Sequence, residues 1–212
     1  SVRYDPGQWR NLDGKLTEFM GLGAVSGKRV MDFGCGLGLD AMLYASRGAE
    51  VVLADMHPKL LRVAQRTVCL SGRIPSRVVV VSSEWPYFHA VDWHNQGLDL
   101  FWSFGVLHHF PYMAKVMERV CKLLNPGGEC RVLLYSDKRW REMMGEEPPE
   151  ETWKHPRFQE FIRKCDTVGN YADWYDRKKL ARVVEPFAEV TACDYLCNGQ
   201  FIGAVVRPKM GE

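Results

Sequence analysis

"VMDFGCGLGLDA", Val30 to Ala41, sets Gly34, Gly36 and Gly38 directly behind a short apolar run and ahead of a segment with helical spacing. The run predicts a strand, the glycines a tight turn at its carboxyl end, and the residues after them a helix. That order belongs to nucleotide-cofactor folds, but two readings of it fail on the spelling. The hydride-transfer fingerprint G-x-G-x-x-G needs a third glycine where Leu39 stands, and a phosphate-cradling loop needs Gly-Lys-Ser/Thr, which "GLGLDA" lacks. What the stretch has instead is a carboxylate two positions ahead of the glycines, in the pattern Asp32-x-Gly34-x-Gly36-x-Gly38.

The strand-helix unit repeats outward from this point. "KRVMDFG" is followed by the helix "LDAMLYASRG", which stops at Gly48; "AEVVLADM" is a β-branched strand, and "PKLLRVAQRTVCLSG" a helix with Pro58 at its start and Gly72 past its end. "RVVVVSS" is too apolar for a strand with one solvated face, which fits a parallel sheet covered on both sides. After the loop "EWPYFHAVDWHNQG" come the strand "LDLFWSF", the helix "MAKVMERVCKLL", the turn "NPGG" and the strand "ECRVLLYS". The pattern breaks from Asp137 to about Tyr175, a stretch too long for an ordinary connection, which predicts an insertion over the ligand-binding edge of the sheet. "DRKKLARVVEP" is then a helix, and "AEVTACDYL" and "QFIGAVVRP" are strands joined at "CNG", where Asn198-Gly199 signals a hairpin. Ahead of everything, residues 8–22 place Trp9, Leu12, Leu16, Phe19 and Met20 on one helical face. The expected fold class is α/β, a doubly wound, mostly parallel seven-stranded sheet with an antiparallel C-terminal hairpin strand. The expected organisation is a single domain over residues 1–212, with an N-terminal helix or lid over 1–26 and a substrate-side insertion over about 137–175.

Composition narrows the partners. A formal net charge of +2, with no run of five or six like charges, is not the footprint of a dedicated nucleic-acid binder, so nucleic acid is not the expected partner. Seven cysteines, an odd number without a C-x-x-C pair, predict reduced thiols in a cytoplasmic setting and no metal site. Cys193 and Cys197, the nearest pair, would share one face if both lie on a strand. No apolar segment approaches transmembrane length and no signal peptide opens the chain, so the expectation is a soluble protein without a membrane partner.

A second carboxylate, Asp55, ends the strand "AEVVLADM", where it can accept hydrogen bonds from two ribose hydroxyls. With Asp32 facing a cation and glycines beneath the ligand, this suits a cofactor with an ammonium group and a ribose but no phosphate. Here the sequence resembles the class I S-adenosylmethionine-dependent methyltransferases, in particular their type 11-like small-molecule members. "VMDFGCGLG", "VVLADMHP", "LDLFWSFGVLHHF" and "LLNPGGE" match that family in order and spacing, from roughly Gly27 to Tyr135, and the terminal hairpin resembles its last two strands. The resemblance implies S-adenosyl-L-methionine as cofactor and S-adenosyl-L-homocysteine as product. It implies that Asp32 and the backbone from Gly34 through Cys35 and Gly36 to Gly38 hold the methionine part. Asp55 would bind the ribose, Met56 would lie against the adenine, and Phe104 and Gly105 would line the floor beneath the methyl group. Many relatives carry an aspartate after strand three to read the adenine amine; "VVSSEW" offers Ser82, Ser83 and Glu84, and Ser83 or a neighbouring group such as Glu84 takes that place.

Methyl transfer from a sulfonium is an in-line displacement in which alignment does most of the work and an acid-base residue is optional. His109 and His108 follow strand four at the active edge and are the candidates for a catalytic base; the alternative is a structural turn with an imidazole bonded to backbone. Tyr4 from the lid and Trp140, Tyr171, Trp174 and Tyr175 from the insertion, interleaved with Lys138, Arg139 and Arg141, are the candidates for substrate contact. The alternative for the aromatics is that they form the insertion's own small core. Asp166 and Asp173 flank "TVGNYA" and either touch substrate or cap a turn. The expected function is methylation of an O, N or S nucleophile on a small molecule. The alternatives are an RNA-directed methyltransferase of the same fold and a non-catalytic S-adenosylmethionine-binding partner protein.

Overall fold

The computed structural model describes residues 15–81, 97–165 and 171–209. Tyr4, Trp9, Leu12, Ser82, Ser83, Glu84 and Asp166, all singled out above, lie outside the described residues. In chain order the elements are α1 (Lys15–Met20), β1 (Arg29–Phe33), α2 (Leu39–Ser46), β2 (Glu50–Asp55), α3 (Pro58–Cys69), β3 (Arg77–Val80), β4 (Leu98–Phe104), α4 (Met113–Cys121) and β5 (Leu124–Tyr135). They continue with α5 (Asp137–Met144), α6 (Phe158–Cys165), α7 (Arg177–Val184), β6 (Ala188–Leu196) and β7 (Phe201–Pro208), with short 3-10 turns at Leu22–Ala24, Leu107–His109 and Thr152–Lys154.

The seven strands form one sheet in the order β3-β2-β1-β4-β5-β7-β6. The first five run parallel, and β7 lies antiparallel to both β5 and β6. Strand order reverses between β1 and β4, so the loops after these two strands face each other across the crevice where open α/β sheets bind ligands. This places the glycine loop opposite Phe104 to His109.

Why the inner strands read as unbroken apolar runs is visible in β1, where Val30, Met31 and Phe33 are all buried. Met31 and Phe33 join a core beneath α4 and α7, whereas Val30 joins a second core beneath α1, α2 and α3 on the opposite face. Each helix contributes one stripe, as Leu61, Ala64 and Val68 do in α3, which starts at Pro58 as its spelling predicts. Leu16 and Met20, one turn apart in α1, are likewise buried. Among the described residues no helix is long and apolar enough to cross a membrane.

Two local expectations are corrected. The "NPGG" turn does not precede the fifth strand but lies inside it: Leu98 pairs with Leu124 and Leu100 with Glu129, so Asn125 to Gly128 bulge out of the ladder. Asp99, the single β4 residue opposite the bulge, holds it by accepting a hydrogen bond from the Asn125 side chain at 2.9 Å. Cys193 and Cys197 do not share a strand face. Cys193 is in β6, while Cys197 has left the strand for a turn in which it, Asn198 and Gly199 all take positive φ. The two thiols pack against cores on opposite sides of the sheet.

Between β5 and α7, Tyr135, Trp140, Met144, Phe161, Ile162, Ala172 and Trp174 form a third apolar cluster. Trp140 and Trp174 are therefore core residues, and the reading of them as substrate contacts is corrected: burying an indole against other apolar side chains is worth more than leaving it at a wet edge. Tyr175 is buried in the main core beside Leu180 and Val184 and is corrected on the same ground.

Candidate active site

Asp32 is 3% exposed near the end of β1. Its Oδ2 accepts the Ala41 N–H at 3.1 Å, which ties the strand end to the first turn of α2. Beyond it opens a cavity of about 230 Å³ lined by Asp32, Gly34, Cys35, Gly36, Leu37, Leu39, Asp40 and Phe104. The three glycines of the loop serve different purposes. A Cβ on Gly34 would stand 2.2 Å from Val106 Cγ2, and one on Gly38 would stand 2.8 Å from Ala64 Cα, so both are demanded by packing. A Cβ on Gly36 would meet nothing within 4 Å. Gly36 alone of the three is bare on an open side.

Asp55 closes the loop from the neighbouring strand. Its Oδ2 accepts the Gly36 N–H at 2.9 Å and its Oδ1 accepts the His57 N–H at 2.8 Å. Because a carboxylate has about four acceptor sites, capacity remains for two further donors. Met56, next in the chain, is 47% exposed and presents apolar surface beside it. Cys35 is held as a thiol: burial first, and then the Asp32 and Asp55 carboxylates, push its pKa far up.

Asp40, which the sequence did not single out, also lines the cavity and accepts the Trp102 indole N–H at 3.1 Å. An acid in the first turn of a helix is ordinarily read as a partner of the helix dipole, which hid it.

On the far side of the crevice, Phe104 packs edge-on against Phe201 with centroids 5.1 Å apart. Gly105 follows with φ +74°, and a Cβ there would sit 3.8 Å from the Phe201 ring. The two histidines form a chain whose tautomers are set from its ends. Tyr135 N–H donates to His108 Nδ1 at 3.2 Å, so the His108 proton is on Nε2. That nitrogen lies 3.1 Å from His109 Nε2 and donates to it, and His109 Nδ1 donates to the Tyr171 carbonyl at 2.8 Å. His108 is fully buried and stacked on Tyr135 with centroids 3.5 Å apart. It has no free lone pair and cannot serve as a base where it stands, so of the two histidines it takes the structural role. His109 is partly exposed and brings Tyr171 to this edge.

Burial, then the neighbouring His109 and Arg139, hold the His108 pKa well below its ordinary value. Above about pH 6.5 the imidazole is neutral in both folded and unfolded chains. As the pH falls below that value the unfolded chain takes up a proton that the folded one refuses, so stability is lost. The expected slope from this residue is about 1.4 kcal/mol per pH unit. Urea unfolding at pH 7.5 and 5.5 checks it; His108→Asn should flatten the acid limb, and an equally steep limb in the variant would refute the assignment.

Asp173 accepts hydrogen bonds from the Thr152 hydroxyl, the Trp174 N–H and Lys179 Nζ, which makes it an anchor for the turn before α7. Tyr171 is the one described insertion candidate for substrate contact that stays outside the cores; burial and the Asp173 carboxylate push its phenol pKa up.

Residues 24–184 match the family described as "Methyltransferase domain", and since this is well over half of the chain, the chain belongs to that family. It is 32% identical over 108 residues to a ubiquinone biosynthesis O-methyltransferase of Paracidovorax citrulli, covering 51% of this chain and 44% of that one. It is 31% identical over 166 residues to the protein of that name in Photorhabdus laumondii, covering 74% and 64%. The matched stretch thus spans less than two-thirds of either relative. Among solved structures, the N-methyltransferase NodS of Bradyrhizobium japonicum, in complex with S-adenosyl-L-homocysteine, superposes with a TM-score of 0.58 at 15% identity, covering 92% of this chain and 86% of that one. At that identity the likeness concerns the fold.

Proposed function

We propose that the chain is an S-adenosylmethionine-dependent methyltransferase that methylates an oxygen of a small molecule. The observation that carries the reading is the bare side of Gly36, set at the crevice between two buried carboxylates, Asp32 and Asp55. Two relatives named for O-methylation in ubiquinone biosynthesis support an oxygen acceptor.

The residues present fit the cofactor. A ligand with an ammonium group finds Asp32 and Asp40 on one wall of the cavity. A ribose finds the spare acceptor capacity of Asp55, and an adenine the apolar surface of Met56. When bound, S-adenosylmethionine supplies a sulfonium-activated methyl group to an aligned nucleophile. Phe104 contributes an apolar wall that keeps water from the reacting centre, and Gly105 leaves that wall free of a further side chain. His108 and His109, linked by a hydrogen bond, stiffen the acceptor side; an acceptor proton reaches His109 Nε2 only where it displaces the bond from His108.

Calorimetric titration with S-adenosylhomocysteine and S-adenosylmethionine, with a dinucleotide as control, tests the reading. Binding of both sulfur ligands, followed by S-adenosylhomocysteine formation with a panel of phenols, is the expected result. Folded protein that binds neither would end it. The glycines sharpen the test. Gly34→Ala should cost about 2–4 kcal/mol of stability, because the methyl collides with Val106. Gly36→Ala should cost about 1–2 kcal/mol for the left-handed φ while weakening S-adenosylhomocysteine at least tenfold. Thermal unfolding and calorimetry on the same two variants separate these effects, and equal losses of both kinds would refute the distinction.

A further inference from the structure

Arg139, in the first turn of α5, has a guanidinium with no carboxylate partner among the described residues. Arg141, two residues further along the helix, shows the contrast: it is paired with both Asp137 and Glu147. Arg139 instead lies over the Tyr135 ring at 4.1 Å, with Phe201 at 5.9 Å. Its Nη1 donates to Gln200 Oε1 at 2.9 Å, and the Gln200 amide in turn donates to Glu142, so the nearby acid is already engaged. Its Nε is buried and has no partner among the described residues. A cation–π contact offsets only part of the cost of holding a charged donor away from water.

The donors left over, Nε and Nη2, lie on one edge of the guanidinium. That is the edge that engages a carboxylate through two parallel hydrogen bonds. One half-buried ring, Phe201, is near both Arg139 and the wall of the cavity beside Gly36: its centroid is 5.9 Å from the guanidinium and 5.1 Å from that of Phe104, which lines the cavity. A flat molecule lying along Phe201 would place an anionic group at Arg139 and its opposite edge toward Phe104.

Resting on the methyltransferase reading above, we propose that Arg139 selects the acceptor: a planar aromatic molecule that carries a carboxylate, with the methyl-accepting oxygen at the other side of the ring. Tyr135 and Gln200 position the guanidinium, and Phe201 supplies the face on which the ring rests.

The test is calorimetric binding of the monohydroxybenzoates and of their methyl esters to the protein saturated with S-adenosylhomocysteine. The wild type should bind at least one acid about 10- to 100-fold more tightly than its ester. Arg139→Gln should abolish that preference while leaving the affinity for S-adenosylhomocysteine unchanged, and Arg139→Lys should restore only part of it, because an ammonium lacks the fork. The comparison of acid with ester in the wild type stands even if a variant fails to fold. Failure to bind S-adenosylhomocysteine would overturn the methyltransferase reading and this proposal with it. Cofactor binding with no acid bound, or with acid and ester bound equally, would overturn this proposal alone.

Discussion

Asp55→Ala is expected to weaken S-adenosylhomocysteine binding by about 100-fold or more, with a thermal midpoint lowered by several degrees. Two losses add. The carboxylate is the group proposed to accept the ribose hydroxyls, and hydrogen bonds to a charged acceptor are worth about 1.5–3 kcal/mol each. The same carboxylate holds the Gly36 and His57 N–H groups, so its removal leaves two donors unpaired and frees the loop on which the rest of the cofactor site is built. Asp55→Asn distinguishes the two. The amide oxygen can still accept one N–H and keep the loop near its place, so most of the stability should return while most of the affinity stays lost. Calorimetry and thermal unfolding of both variants decide the matter. An Asp55→Ala protein that binds S-adenosylhomocysteine as the wild type does would remove Asp55 from the site and, with it, the argument that the crevice holds a ribose.

What the chain spells out plainly is the part of the fold governed by local chemistry and short periodicity. The strand that carries Asp32, the helix that starts at Pro58 and the hairpin at Asn198-Gly199 are each fixed by residues within a few positions. The same holds for the two ends of the crevice, because right-handed strand-helix-strand crossovers bring successive strand ends to one edge. The contents of residues 137–175 were hidden for a physical reason. Aromatics interleaved with cations look alike whether they face a ligand or one another, and only tertiary packing separates Trp140, which is sealed, from Arg139, which is half-buried. The chain of hydrogen bonds through His108 and His109 was equally invisible, since its two ends, Tyr135 and Tyr171, are distant from "LHH" in sequence.

Trp140→Ala decides between the two readings of that segment. As a core residue, the indole packs against Phe161 with centroids 4.4 Å apart and edge-on against His155 at 5.4 Å, within the cluster that also holds Met144 and Ile162. Its deletion should cost about 3–5 kcal/mol, the usual range for emptying a buried aromatic site. For a domain of this size that corresponds to a midpoint lowered by roughly 6–20 °C. Its Nε1 has no hydrogen-bond partner among the described residues, so Trp140→Phe removes no bond and should cost far less than the alanine variant. Had the tryptophan been a substrate contact, both substitutions would leave stability nearly untouched and would act on acceptor binding. Urea unfolding of the two variants, beside calorimetry with S-adenosylhomocysteine, reads out the difference. The cofactor loop lies on other elements and packs in other clusters, so Trp140→Ala should retain the wild-type affinity for S-adenosylhomocysteine at temperatures where it is folded. A variant with an unchanged midpoint would return Trp140 to the substrate side and undo the assignment of this segment's aromatics to a core.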